Sequence, residues 1–193
     1  MDLTSDQSKD LTKFIQDWSN DSTFELETSF GVGGIVDSNT FLQIAQRLRT
    51  KGFKVLPQDD YLNIITPKHV RFTIQGLGVV QSYCKDDTIK DKLFSAMLKD
   101  RAFPESNIDL KEYDIRFKIR REEELGTADP RVVDLINTWE HQQKAFRLIR
   151  RWSFEGNGIR VDMSMVRQTP NVPGKGDYQW STTFLQKNVL AEL

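Results

Sequence analysis

The feature that most constrains this chain is a set of short segments in which apolar and polar side chains alternate residue by residue. Alternation with period two is typical of β-strands, because successive side chains point to opposite faces of a sheet. The segments are Phe24–Phe30, Val70–Gln75, Tyr113–Ile119 and Ile159–Met165. A longer, more apolar strand is expected at Lys144–Phe154, and residues 155–158 (Glu-Gly-Asn-Gly) predict a hairpin after it. The chain is therefore expected to be built mainly on antiparallel strands.

Helical patterns separate some of these strands. The expected helices lie at Leu11–Trp18, from Ser38 or Asn39 to just before Gly52, at residues 87–99, and from Asp129-Pro130 onward. The last of these has an N-cap residue followed by proline at the first helical position. We expect Val133, Ile136 and Trp139 to lie on it, and Pro170–Asp177 to be a loop. The predicted fold class is α+β.

Length and composition exclude several classes of protein. The 193 residues suit one domain, and the net charge of −1 argues against a dedicated nucleic-acid coat. Cys84 is the only cysteine, so no disulfide framework is expected within the chain. His69 and His141 lie far apart, which disfavours a histidine metal site. The N-terminus has no signal-peptide pattern, and no apolar run approaches the ~20 residues of a membrane span. We therefore expect an intracellular protein without membrane partners.

The polar faces of the strands carry the chemical information. Glu25 and Glu27 share one face of the first strand, while other strands present arginine and lysine. One interpretation is a sheet with one solvated face, charged edge strands and ion pairs of little consequence. The other is a barrel with a polar interior. Paired carboxylates would then suit Mg²⁺ or Mn²⁺, and guanidinium groups would suit phosphate oxygens.

Five motifs occur in the order found in one family. Glu25-Leu26-Glu27 followed by Phe30-Gly31 resembles the first-strand ExExxFG pattern of the triphosphate tunnel metalloenzymes, in the RNA triphosphatase branch of fungal and large-DNA-virus capping enzymes. The other matching segments are Phe146–Phe154, Arg160–Ser164 and, more loosely, Arg71–Ile74 and Ile115–Glu122. The resemblance implies an antiparallel β-barrel tunnel with a polar interior and flanking helices.

The resemblance also implies roles for individual residues. It assigns the metal, Mg²⁺ or Mn²⁺, to Glu25 and Glu27. It gives Glu122 and Asp162 the task of orienting basic side chains or the nucleophilic water. The residues expected to bind the triphosphate are Arg71, Arg116, Lys118, Arg120, Arg147, Arg151, Arg160 and Ser164.

An activity and partners follow from the same resemblance. Members of this branch remove the γ-phosphate from 5′-triphosphate RNA in the first step of mRNA capping, and commonly hydrolyse free nucleoside triphosphates with Mn²⁺. Guanylyltransferase and methyltransferase domains are expected in the same chain or in a partner chain. The expected location is the cytoplasm, virus factory or virion for a viral protein, and the nucleus for a eukaryotic one.

The sequence departs from the family pattern at two places. Ile149 stands where a lysine is usual, two residues before Arg151, and Arg147 is the candidate substitute. The family's final strand of alternating glutamates has no counterpart after Asp177, where the chain closes with Phe184–Leu193. Residues 1–193 are therefore expected to be a single triphosphatase-like domain, incomplete at the C-terminal side of its barrel. On this expectation they form an N-terminal fragment of a larger capping enzyme.

Two other functions stay open at this point. A tunnel fold that lacks its second glutamate set could bind RNA ends or capping partners without catalysis. Relatives that act on thiamine triphosphate, tripolyphosphate or ATP carry ExExK in the first strand. Ser29 replaces that lysine here, which disfavours this group.

Overall fold

A computed structural model describes residues 3–31, 36–101, 106–175 and 177–183. The helices in these ranges are α1 (Ser5–Ser19), α2 (Ser38–Thr50), α3 (Leu77–Asp86) and α4 (Pro130–Asn137). The strands are β1 (Phe24–Phe30), β2 (Lys54–Val55), β3 (Asp59–Ile65), β4 (Val70–Gln75), β5 (Ser95–Arg101), β6 (Asn107–Leu110), β7 (Ile115–Leu125), β8 (Ala145–Gly156) and β9 (Ile159–Gln168). The α+β class is confirmed. None of the helices described is long and apolar enough to cross a membrane.

The chain divides into two compact units. The first comprises Met1–Val36 and Leu98–Glu123, and the second Asp37–Met97 and Glu124–Leu193. In the first unit the strand order is β1-β7-β5, with β6 also paired to β7. In the second it is β5-β4-β3-β8-β2, with β9 paired to β8. Strands β5 and β7 contribute residues to both units.

The first unit is built on the antiparallel pairing of β1 with β7. Helix α1 begins with a capping box on Thr4, buries Phe14 and donates a 3.0 Å hydrogen bond from Trp18 to the carbonyl of Phe24. The predicted first helix and first strand are both confirmed. Strand β7 begins at Ile115, two residues later than predicted, because a 3-10 turn and the left-handed Asp114 (φ 56°) precede it.

The core of the second unit lies between its strands and two helices. Strands β3 and β4 bury Leu62, Ile64, Phe72 and Ile74 completely, and α3 buries Val80 and Tyr83. The ring of Phe72 packs edge-on against Trp139, with centroids 5.1 Å apart. Burial of this apolar surface is the main source of stability for the unit.

Helix α4 starts as predicted but buries a different row of apolar side chains. Asp129 is the N-cap, its carboxylate accepts from the amide of Arg131, and Pro130 occupies the first turn. The buried residues are Val132 and Leu135, whereas Val133 is 40% exposed. The buried side of the helix is therefore formed by Val132 and Leu135, each one residue before the predicted Val133 and Ile136. Val132, Leu135 and Trp139 also have helical spacing, and packing selects between the two stripes.

The helix predicted at residues 87–99 is wrong. Helix α3 lies earlier, and Asp87 ends it in the left-handed conformation (φ 50°). The chain then turns and enters β5, where side-chain alternation is weak. The predicted caps Ser38 and Asn39 are also replaced: Asp37 caps α2 by accepting 3.0 Å hydrogen bonds from the amides of Asn39 and Thr40.

The predicted hairpin between β8 and β9 is confirmed. Asn157 (φ 54°) and Gly158 (φ 73°) supply the two positive φ angles that a type I′ turn needs. Pairing continues from Gly156↔Ile159 to Arg147↔Gln168. The predicted loop after β9 is also present, closed by a bridge between Asn171 and Tyr178. The segment Phe184–Leu193, on which the expected missing strand depended, lies outside the described residues.

Candidate active site

Three carboxylates come together on one face of the first unit. Glu25 and Glu27 point to the same side of β1 because side chains two residues apart share a face. Glu122, on β7, brings a third carboxylate to them. One oxygen from each of the three lies within 4.8 Å of the others. The side chain of Glu122 is 16% exposed, against 46% for Glu25 and 39% for Glu27.

Lys99 of β5 contacts all three carboxylates. Its Nζ lies 3.3 Å from Oε2 of Glu25 and 3.1 Å from Oε1 of Glu27, and it also pairs with Oε1 of Glu122. Burial acts to lower the pKa of Lys99, but the carboxylates, led by Glu122, raise it. The side chain is therefore an ammonium ion. The sequence analysis missed Lys99 because its segment was interpreted as helix.

The two glutamates of β1 differ in protonation behaviour. Burial raises the pKa of Glu25, and the neighbouring carboxyl of Glu122 raises it further. Burial also acts on Glu27, but Lys99 outweighs it and lowers the pKa of Glu27. The cluster thus concentrates negative charge in a partly dehydrated place. Carboxylate oxygens are the ligands that Mg²⁺ and Mn²⁺ prefer, so the residues present fit such an ion.

Strand β7 places basic side chains beside the carboxylates of β1. Lys118 is opposite Glu27 and Arg120 is opposite Glu25 in the strand register. Within the described part of the chain, Lys118 forms no ion pair. Burial lowers its pKa, and the opposing effect of Glu27 does not offset burial together with the nearby cations. Among the described residues, Arg120 donates to neutral groups alone, including Ser106 Oγ at 3.0 Å and Asn107 Oδ1 at 3.1 Å. Both charges are therefore available to an anion.

Arg116 is in a different situation from its two neighbours. Its guanidinium forms a two-bond ion pair with the carboxylate of Asp109 on β6. Because the fork is already occupied, binding of phosphate by Arg116 would require this pair to open.

A second polar network lies on the β8–β9 hairpin of the second unit. Asp162 accepts from Ser153 Oγ at 2.6 Å, Arg160 Nε at 2.9 Å and Arg151 Nη1 at 3.1 Å. Arg151 also donates to Ser164 Oγ at 3.0 Å. Burial acts to raise the pKa of Asp162, but Ser153 and the arginines lower it. One carboxylate thus holds two guanidinium groups in fixed orientations.

Arg147 and Arg71 lie on the same sheet face as this network. In the described ranges, Arg147 has no hydrogen-bond or ion-pair partner, and its Nε is inaccessible to solvent. Arg71 donates to Sδ of Met97 at 3.1 Å. Ile149, where the family pattern has lysine, lies between Arg147 and Arg151 on the same face of β8 and is buried. Its partners in the neighbouring strands are Tyr61 on β3 and Val166 on β9.

The predicted site residues fall into two groups, one in each unit. The first unit brings together Glu25, Glu27, Glu122, Arg116, Lys118 and Arg120. The second holds Arg71, Arg147, Arg151, Arg160, Asp162 and Ser164. Asp162 forms ion pairs with Arg160 of its own strand, β9, and with Arg151 of β8. The Arg160–Asp162 pair is therefore part of a network and is more than an isolated surface ion pair.

The arrangement of strands and helices belongs to a known class: the fold is the triphosphate tunnel fold of RNA triphosphatases. The similar solved structures are of the Mimivirus capping enzyme triphosphatase. Its triclinic crystal form has a TM-score of 0.63 at 15% identity, over 92% of this chain and 86% of that chain. The RNA triphosphatase domain of the trifunctional Mimivirus mRNA capping enzyme gives 0.61 at 16% identity, over 86% and 80%. The monoclinic form gives 0.60 at 15%, over 87% and 81%.

No protein-family model matches the sequence, and no curated protein matches it. Identities of 15–16% establish the fold alone. The fold expected from the five motifs is confirmed, while the roles of individual residues stay predictions.

Proposed function

We propose that this chain is a metal-dependent RNA 5′-triphosphatase. The observation that carries the proposal is the cluster of Glu25, Glu27 and Glu122, with Lys118 and Arg120 beside it on the same sheet face and in no ion pair among the described residues. Such a face suits a polyphosphate with bound metal and is unsuited to an apolar ligand. The fold supports the same activity, since the similar structures are capping-enzyme triphosphatases.

The carboxylates would hold the metal. Glu25 and Glu27 are the first candidates, and Glu122 lies close enough to complete the set. A bound Mg²⁺ or Mn²⁺ would supply Lewis-acid polarisation of the phosphoanhydride. Glu122, the least exposed of the three, would also orient the attacking water, the role that the family resemblance gives it. Attack forms a new P–O bond at the γ-phosphorus, the bond to the β-phosphate oxygen breaks, and phosphate and 5′-diphosphate RNA result.

Basic residues of the first unit would bind phosphate oxygens. Lys118 and Arg120 are suited to this because no carboxylate of the described residues pairs with them. Phosphoryl transfer depends mostly on position and electrostatics, so two cations on the face of the cluster would stabilise the charge that develops on the leaving diphosphate. Arg116 would contribute only after release from Asp109.

Basic residues of the second unit would also bind phosphate groups. Arg151 and Arg160 are oriented by Asp162, which makes Asp162 a positioning residue. Arg147 carries a charge without a partner in the described ranges, which fits an anion ligand in place of the lysine that Ile149 replaces. Arg71 and Ser164 complete this proposed set.

The proposed substrate is the 5′-triphosphate end of RNA, and free nucleoside triphosphates are proposed as secondary substrates. A role in mRNA capping would make guanylyltransferase and methyltransferase activities the partners that use the diphosphate end. These could be in the same chain or another one, inside the cell, in a virus factory or in a virion. This part of the proposal is supported by the fold it shares with the Mimivirus capping enzyme domain.

The test is phosphate release from γ-labelled triphosphate RNA. We expect activity with Mg²⁺ or Mn²⁺, none in excess EDTA, and a loss of at least about a hundredfold in kcat for Glu25→Gln or Glu27→Gln. Glu140→Gln, on the turn after α4, is the matched control and should retain activity. Activity in EDTA, or equal activity in all these variants, would overturn the proposal. Faster turnover of tripolyphosphate or ATP than of RNA would instead indicate a general tripolyphosphatase.

A further inference from the structure

Lys99 pairs with the same three carboxylates that could hold a metal ion. Its ammonium contacts one oxygen of Glu25, one of Glu27 and one of Glu122. The metal-cluster geometry is defined by one oxygen from each of the same residues. A small hard cation such as Mg²⁺ holds carboxylate oxygens at about 2.0–2.1 Å, so a metal bound by all three carboxylates and an ammonium in contact with all three would compete for the same space.

We propose that Lys99 is an internal counter-ion that competes with the divalent metal for this cluster. The inference rests on the proposed function only in taking the three glutamates as the metal site. Without metal, the ammonium offsets repulsion between the crowded carboxylates and holds them in place. Metal binding displaces it, and the metal affinity is lower than three carboxylates alone would provide. Lys99 therefore sets the affinity of the site.

The chemistry of lysine suits this role. An ammonium on a flexible four-carbon stem can leave the cluster by rotation of side-chain bonds, without movement of the strand. The side chain of Lys99 is 23% exposed, so it is partly accessible to solvent in this structure. Lys118 differs in the property that matters. It lies opposite Glu27 and carries the same charge, but it contacts no carboxylate among the described residues.

The first test measures metal affinity without RNA. Mn²⁺ binding to wild type, Lys99→Met and Lys118→Met is followed by electron paramagnetic resonance of the free ion. Removal of a competitor should tighten binding by Lys99→Met at least about tenfold, the scale on which groups around metal ligands change affinity. Lys118→Met controls for the loss of a nearby positive charge and should change the affinity less. Equal affinities in wild type and Lys99→Met, or equal gains in both variants, would overturn the inference.

The second test uses the unmodified protein, so it does not depend on the folding of a variant. Lysine acetylation is quantified by mass spectrometry with and without saturating Mg²⁺. Displacement should raise the labelling rate of Lys99 severalfold and leave Lys118 unchanged. Metal binding with an unchanged rate at Lys99 would refute the counter-ion role and leave the proposed function intact. Absence of any metal binding would refute the metal site itself, and the proposed function with it.

Discussion

Glu25 and Glu27 show how much the surroundings of a residue can alter its chemistry. They are the same residue type, two positions apart on one face of β1, yet the pKa of Glu25 is raised and that of Glu27 is lowered. Burial is the largest influence on both pKa values. For Glu25 the carboxyl of Glu122 adds to it, whereas for Glu27 the cations, led by Lys99, outweigh it. An environment that separates two carboxyl groups in this way is typical of functional sites.

Asp162 is the residue for which a pH dependence follows most directly. Its pKa is lowered in the folded protein, so ionised Asp162 contributes stability at neutral pH. That contribution is present above the unfolded value of about 4 and is lost as the pH falls through the lower folded value. We therefore expect Asp162→Asn to lower the free energy of unfolding at pH 7 and to approach wild type as the pH falls well below 4. Urea unfolding across this pH range is the measurement.

A surface pair provides the comparison for this prediction. Asp134 pairs with Lys68 at 3.1 Å, but both side chains are 60% or more exposed. Exposed pairs contribute about 0–1 kcal/mol, so Asp134→Asn should change stability little at any pH. A difference between wild type and Asp162→Asn that persists unchanged at the acidic end of this range would show that Asp162 acts through packing and not through its charge.

Among the elements, α4 is the one in which the buried residues differ from those that the sequence pattern predicted. The pattern indicated a stripe that includes Val133, whereas the structure buries Leu135 completely and leaves Val133 40% exposed. Leu135→Ala should therefore lower the free energy of unfolding by about 2–5 kcal/mol, because it leaves a cavity. Val133→Ala should change it by less than about 0.5 kcal/mol, since an exposed position loses little buried surface. Denaturant titration of both variants decides between the two stripes, and equal losses would contradict the packing described here.

The β1–β7 pair is the element that creates the acidic and basic face of the first unit. Its antiparallel register places Glu25 opposite Arg120 and Glu27 opposite Lys118. A slip of one residue would move every side chain of one strand to the other face and would separate the carboxylates from the cations. Register in this pair is thus a condition for the proposed chemistry as well as for the fold.

At the scale of the whole molecule, the two compact units are expected to respond differently to metal. The proposed ligands all belong to the first unit. A ligand that binds only the native state raises the free energy of local opening where it binds. Hydrogen exchange measured by mass spectrometry should therefore show slower exchange with Mg²⁺ in peptides from β1 and from residues 115–122. Peptides from α4 and β9 should change less, and uniform or absent protection would count against a metal site confined to these glutamates.

The sequence by itself determined what depends on neighbours along the chain. Period-two alternation located β1 and β4 to the residue, and it placed Glu25 and Glu27 on one face because backbone geometry alone requires it. Asn157 and Gly158 determined the hairpin for the same local reason, since both positions need positive φ. The order of the five motifs along the chain was also enough to predict the fold, because the same motifs follow one another in the same order in the triphosphate tunnel family.

Only the tertiary structure decided what depends on residues far apart in sequence. Lys99 is 74 residues from Glu25, and no local pattern relates them; their contact exists because β5 and β1 both lie beside β7. Three other features also depend on how the strands pair and pack. They are the position of Glu122 in the cluster, the ion pair of Arg116 with Asp109 and the burial of Ile149. Alternation specifies which face a side chain occupies, but strand register and partner choice come from packing and pairing across the whole chain.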